Sequence, residues 1–221
     1  MLRDILREIL FSGRRSPLQS PMRRRVLNVG GGSKTTPIPP HYGDWEHVLL
    51  DVDPRGNPDI VCDARNLQSL QPSQFDAVYC SHNLEHYYRH DGAKVLRGFQ
   101  HVLKPEGFVE IRVPDLQSVI QRVVDSKMDL GDVLYVSPSG PITALDVLYG
   151  YEKEIEASGQ DFYAHKTGFT PKLLHEALVR TGFDPVYVYV AQEAFETRAL
   201  AFKAEPSPQL RQMLGLSAPR P

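Results

Sequence analysis

Apolar residues fall in short runs that each end in glycine or a polar residue. Val26, Leu27 and Val29 precede Gly30, Gly31 and Gly32. His47-Val48-Leu49-Leu50 runs into Asp51-Val52-Asp53-Pro54. Asp59-Ile60-Val61-Cys62 ends in Asp63-Ala64, and Phe75-Asp76-Ala77-Val78-Tyr79-Cys80 ends in Ser81-His82. Phe108-Val109-Glu110-Ile111-Arg112-Val113 stops at Pro114. Runs this short, rich in β-branched residues, are how strands covered on both faces read. Before the last of them the period changes. Val95, Leu96, Phe99, Val102 and Leu103 recur at helical spacing and predict a helix over roughly 84–103, closed by Lys104-Pro105-Glu106-Gly107. Pro37, Pro39 and Pro40 preclude a normal helix after the first strand, so that crossover is expected to be short and irregular. The alternation predicts an α/β fold on a parallel sheet.

Beyond Pro114 the pattern loosens. Leu116, Val119, Ile120 and Val123 predict an amphipathic helix capped by Asp115. Residues 127–168 are loop-rich but carry Tyr149, Tyr151, Phe162 and Tyr163, which argues for an ordered insertion. Placed after the fifth strand, it is expected to close over the strand ends as a substrate lid, bringing Tyr163 and His165 near an acceptor. Thr170 and Pro171 cap and open a last helix. Residues 205–221 hold four prolines and are expected to form a loose tail. At the other end, Leu2, Ile5, Leu6, Ile9 and Leu10 predict a short amphipathic helix, followed by a basic linker to residue 24. Residues 1–25 hold seven arginines against two acids, a surface suited to an acidic partner or a membrane face.

Charge and composition narrow the class. The net charge of −2 gives no global case for binding nucleic acid. A hydrophobic content of 41% with 24% charged residues is that of a globular domain. No apolar stretch approaches the ~18 residues that span a bilayer. Cys62 and Cys80 both sit inside apolar runs, which fits free thiols in a reducing cytoplasm better than a disulfide framework.

The glycine run carries the candidate chemistry. Backbone without side chains can take positive φ and let a ligand approach closely. Such a turn at the end of a central strand is where open α/β sheets bind ligands. Asp51 follows Gly32 by 19 residues, the position from which an acid meets ribose hydroxyls. A nicotinamide dinucleotide fails on spacing: Gly-x-Gly-x-x-Gly would need a third glycine where Thr35 stands, and a helix where Pro37 stands. His82-Asn83-Leu84-Glu85-His86 also fits the H-x-x-E-H pattern of zinc hydrolases. Because the segment starts as a strand ends, its two histidines need not share a helical turn, and no metal is assigned to it.

Strand and glycine turn, strand and acid, strand and acid, then Phe-Asp-Ala-Val-Tyr leading to Ser-His-Asn-Leu-Glu-His: this order resembles the class I S-adenosylmethionine-dependent methyltransferases. Leu103-Lys104-Pro105-Glu106-Gly107-Phe108 looks like the segment before that family's fifth strand. The likeness is greatest to small members with a Leu-Glu-His segment and an Arg-Val-Pro-Asp strand end, and spans about residues 25–203. It implies a single Rossmann-like methyltransferase domain over 25–204. Val186–Val190 and Leu200–Phe202 would be its C-terminal antiparallel strand pair. The implied cofactor is S-adenosyl-L-methionine. Gly30, Gly31 and Gly32 would approach its methionine part, Asp51 with Val52 its ribose, Asp63 with Ala64 its adenine, and Ser81 and His82 would stand beside it. Asn28 stands where many members have an acid, and would orient the ammonium through its amide oxygen. The expected reaction is methyl transfer to oxygen or nitrogen of a small or carbohydrate-like acceptor, with His86 and His165 as candidate bases. Two other classes remain open on the residues: a non-catalytic S-adenosylmethionine-binding regulatory or assembly module, and a zinc hydrolase.

Overall fold

The computed structural model describes residues 23–216. The expected N-terminal helix and most of its basic linker lie outside the described residues. Seven strands form one sheet: β1 (Arg25–Val29), β2 (Glu46–Asp51), β3 (Ile60–Val61), β4 (Phe75–Ser81), β5 (Leu103–Pro114), β8 (Val186–Ala191) and β9 (Glu196–Phe202). A separate hairpin pairs β6 (Val133–Ser137) with β7 (Gly140–Thr143). The helices are α1 (Arg89–Val102), α2 (Leu116–Asp125), α3 (Ala144–Tyr149), α4 (Glu152–Ser158), α5 (Pro171–Arg180) and α6 (Pro208–Leu214).

The strand order is β3-β2-β1-β4-β5-β9-β8. β1 runs parallel to β2 and β4, and β4 parallel to β5, while β9 is antiparallel to both β5 and β8. This is the expected mainly parallel sheet with a C-terminal antiparallel pair. The chain moves outward from β1 through β2 to β3, then returns to β4 on the other side of β1. A crevice opens beyond the strand ends at such a switch point, because the connections leave in opposite directions.

Each face of the sheet has its own core. On one, Leu27, Val78, Ile111 and Ala199 pack against α1, α5 and a 3₁₀ helix at Ala64–Ser69. The other is aromatic, with Tyr42, Trp45, Phe108 and Phe202 in contact. The proline-rich first crossover forms only a 3₁₀ turn at Pro40–Tyr42, as expected, and cannot cover that face alone. The C-terminal segment completes the cover. Residues 205–216 are no loose tail: Ser207 caps α6, Pro208 opens it, and Leu214 and Leu216 are buried on the aromatic face.

The helix expected over 84–103 is shorter. Leu84–His86 is a 3₁₀ turn, Tyr87 and Tyr88 are extended, and α1 starts at Arg89. Leu103 already pairs with Phe75 as the first residue of β5. Asp115 and Thr170 cap α2 and α5 through their side chains, as the sequence predicts. Gly98 lets α1 lie on the 3₁₀ helix, where a Cβ would stand 2.6 Å from Leu67 Cβ. Alanine is the better helix former by up to about 1 kcal/mol. Leu67 Cβ lies too close to its own backbone to swing aside, so overpacking wins. Gly98→Ala is expected to destabilise the fold by about 1–2 kcal/mol in urea unfolding.

Candidate active site

The turn after β1 is built on two left-handed glycines, Gly30 (φ +72°) and Gly32 (φ +67°). Gly30 N–H donates to Leu50 O at 2.9 Å, and Gly32 N–H donates to Asp51 Oδ2 at 2.9 Å. Asp51 Oδ1 accepts from Asp53 N–H at 2.9 Å. One carboxylate thus ties the ends of β1 and β2 together. Two of the glycines are packed tightly: a Cβ on Gly30 would lie 2.1 Å from Asn83 Nδ2, and one on Gly31 2.2 Å from Asn28 Nδ2. Gly32 is different: among the described residues nothing lies within 4 Å of where its Cβ would stand. Gly56 closes the turn from behind, since a Cβ there would meet Gly32 O at 1.6 Å.

A cavity of about 530 Å³ lies beyond the ends of β1, β2 and β4. Gly30, Gly32, Asp51, Val52, Asp63, His82 and His86 all line it. Five other residues singled out from the sequence do not, one of them His165, which stands behind the wall. Asn28 is buried, its Nδ2 3.2 Å from His47 Nε2 beneath Gly31, so its amide is directed away from the cavity. Gly31 packs on Asn28. Ala64 is buried in the core. Ser81 follows strand alternation onto the aromatic side, where it meets Tyr79.

Two short Asp-x-Arg segments shape the rim. Asp53 caps the turn after β2 and grips Arg55, whose Nε lies 2.8 Å from Asp53 Oδ2. Asp63 caps the 3₁₀ helix after β3 and grips Arg65 in the same way, with Nε 3.0 Å from Oδ2. The Arg55 hydrogen bonds hold the Asp53 carboxyl down at about 2. For Asp63, burial opposes ionisation and the Arg65 bonds outweigh it, so its pKa is also lowered. Tyr163, from the insertion, joins the first pair: its hydroxyl donates to Asp53 Oδ2 at 3.2 Å and accepts from Arg55 at 3.1 Å. Glu154, Phe162, Tyr163 and Lys166 all line the cavity, so part of the insertion covers the strand ends. Its hydrophobic residues form a small core with α2, around Val119, Leu134, Ile142 and Val147.

Behind the cavity the insertion is fastened to the Leu84–His86 turn. Lys166 and Thr167 N–H both donate to Glu85 O, at 2.9 and 3.1 Å. His86 Nδ1 lies 3.2 Å from Ala164 O, and His165 Nδ1 lies 2.8 Å from Val147 O. A carbonyl oxygen only accepts, so both rings carry a proton on Nδ1, and the neutral form of each presents its lone pair at Nε2. The rings stand edge to face with centroids 4.9 Å apart. Burial lowers the His165 pKa more than the nearby Glu85 raises it. The H-x-x-E-H segment brings His86 together with His165 rather than with His82. His82 (φ +48°) turns instead to Glu196, 3.1 Å from its Nε2. Although burial works against its charged form, Glu196 and Glu85 raise the His82 pKa.

Asn83, Gly56, Arg55, Arg65 and Glu85 are parts of the site that the sequence reading did not assign. The twice-repeated Asp-x-Arg after successive strands was the available signal for the arginines. The others depend on contacts between distant turns.

The sequence profile of the methyltransferase domain family matches residues 27–111, the stretch from β1 through β5. Among solved structures, the trans-methyltransferase CalH in complex with SAH is similar at TM-score 0.53 and 18% identity, over 82% of this chain and 52% of that one. A Pyrococcus horikoshii protein aligns at TM-score 0.52 and 16% identity, over 81% of this chain and 82% of its own. A SAM-dependent methyltransferase from Methanosarcina mazei aligns at TM-score 0.50 and 15% identity, over 81% and 92%. At these identities the likeness is one of fold. No curated protein matches the sequence. The stretch from β1 through β5 thus matches the methyltransferase domain family, and the chain shares the fold of solved S-adenosylmethionine-dependent methyltransferases.

Proposed function

We propose that the protein transfers a methyl group from S-adenosylmethionine to an oxygen or nitrogen of a small or carbohydrate-like acceptor. The observation that carries this reading is the junction of the glycine turn with Asp51, at the switch point of the sheet and inside the matched domain. The residues fit the cofactor. Gly32 leaves open space on the cavity side of the turn. Asp51, Asp53, Asp63, Asp91 and Glu154 line the wall against Arg55, Arg65 and Lys166, a balance that favours a cationic ligand. Gly30 and Gly32 would hold the methionine part, Asp51 the ribose hydroxyls and Asp63 the adenine amino group, with Val52 and His82 beside them.

When bound, the cofactor supplies an electrophilic methyl on a sulfonium; the acceptor's lone pair displaces it and the bonding pair returns to sulfur. The chain's own contribution is positioning, which can supply most of the acceleration. The polar rim and the insertion (Tyr163, Lys166, Glu154) suit an acceptor bearing several hydroxyls. The acceptor must also lose a proton. The Nε2 lone pairs of His86 and His165 are the groups that manage it, His86 from the cavity wall and His165 behind it.

The test is transfer of isotope-labelled methyl to a panel of sugars, amino sugars and amino alcohols. The expected result is labelling of at least one, reduced about 100-fold by His86→Ala. Intact binding of S-adenosylhomocysteine with no labelling of any acceptor would favour a binding module without catalysis.

A further inference from the structure

We infer that Glu85, His86 and His165 form a binding site for one divalent transition-metal ion, set in the wall between the cavity and the insertion. One donor atom from each of the three lies within 4.8 Å of the other two. The two imidazoles are already in the ligating tautomer, with Nδ1–H held by the Ala164 and Val147 carbonyls. Such outer contacts orient metal-binding histidines and raise their basicity.

Glu85 supplies the independent observation. It is 1% exposed, and among the described residues neither carboxylate oxygen has a hydrogen-bond partner. A buried carboxylate without a donor is costly, and such groups pair with a charge or coordinate a metal. The nearest nitrogens stand beyond hydrogen-bond distance of Oε1: His82 Nδ1 at 3.6 Å and His165 Nε2 at 4.0 Å. His82 forms a long ion pair with Oε1 and is shared with Glu196, 3.1 Å from its Nε2. The carboxylate therefore faces the two imidazole lone pairs across a gap that one cation would fill.

Two imidazoles and one carboxylate suit zinc, manganese, cobalt or ferrous iron, whereas magnesium and calcium favour all-oxygen sites. Ligands on one such ion stand about 3.3 Å apart, so binding would draw the three side chains together by roughly 1 Å. His86 lines the cavity, and coordination positions left open there would take water or an acceptor hydroxyl. With the ion bound the Nε2 lone pairs are spent on it, so the proton of the hydroxyl, made more acidic by the ion, would pass to water instead. This service to the acceptor rests on the methyltransferase reading; the ion site itself does not.

The experiment uses the whole chain, stripped with chelator and titrated separately with zinc, manganese and cobalt chlorides, by calorimetry and, for cobalt, by visible absorption. At least one ion is expected to bind with one-to-one stoichiometry. Its affinity should fall more than about tenfold in both His86→Ala and His165→Ala, with circular dichroism showing both variants folded. Failure of stripped wild-type protein to take up any of the three ions, or equal affinity in wild type and both variants, overturns the site. S-adenosylhomocysteine is titrated in parallel. Its binding without metal uptake rejects the ion site alone, while metal uptake without its binding rejects the cofactor reading and leaves the ion site standing.

Discussion

Asp51→Ala is expected to weaken binding of S-adenosylmethionine and S-adenosylhomocysteine by about 100-fold or more, read by calorimetry. Without ligand the carboxylate already organises the turn. Its two oxygens accept from Gly32 and Asp53 N–H, holding the ends of β1 and β2 in one arrangement. Each oxygen keeps a further lone pair for a ribose hydroxyl. Removing the side chain loses hydrogen bonds to a charged group, at about 1.5–3 kcal/mol each, and two of them correspond to the stated loss. It also frees the turn, so a second part of the loss comes from preorganisation. Asp51→Asn keeps one acceptor oxygen and should fall between wild type and alanine. Wild-type affinity in Asp51→Ala, with the fold intact, would show that the ligand sits elsewhere.

The largest loss of stability is expected at Glu110, on the aromatic face of the sheet. Its side chain is wholly buried on β5, yet it is fully partnered. Oε1 meets Arg112 at 3.1 Å and Arg198 at 2.9 Å, while Oε2 meets His41 at 3.0 Å and the Tyr42 hydroxyl at 3.2 Å. Breaking such a cluster strands the remaining charges against an apolar wall, at about 3–5 kcal/mol. The two arginine side chains are 29% and 27% exposed and reach some water, so the lower end applies, about 3 kcal/mol for Glu110→Gln. The pH dependence follows from the carboxyl. Burial alone would raise its pKa, but His41, Arg198 and Arg112 outweigh burial and lower it. A depressed carboxyl stabilises the fold above its unfolded pKa of about 4.3 and loses that contribution as pH falls through the lower folded value. The gap in urea stability between wild type and Glu110→Gln should thus be full at neutral pH and narrow below about pH 4. A gap unchanged across that range would mean that the carboxylate charge plays no part.

Much of this architecture was legible because its signals are local. Val26–Val29 running into glycine, and Val48–Leu50 running into Asp51, carry strand, turn and acid within a few residues. Pro37, Pro39 and Pro40 foretold the missing helix, since ring geometry forbids it wherever the segment lies. What escaped depends on the third dimension. Nothing near Asn28 says that its amide meets His47 beneath the turn instead of facing the cavity. The pairing of His86 with His165 joins residues far apart in the chain, through an insertion whose path depends on its core with α2 and on its bonds to the Leu84–His86 turn. The prolines at 206 and 208 read as a loose tail, but the second opens α6. That helix forms because the short first crossover leaves an aromatic face for Leu214 and Leu216 to cover. Helical spacing ran on through Leu84 and Leu103 because both are core residues, although one sits in a 3₁₀ turn and the other begins a strand.

The most direct test is a crystal structure of the whole chain with S-adenosylhomocysteine. The ligand is expected in the cavity at the switch point, its ribose hydroxyls on Asp51, its amino-acid part along Gly30–Gly32 and its adenine beside Asp63. Ligand density away from the glycine turn, with Asp51 free of contact, would contradict this placement.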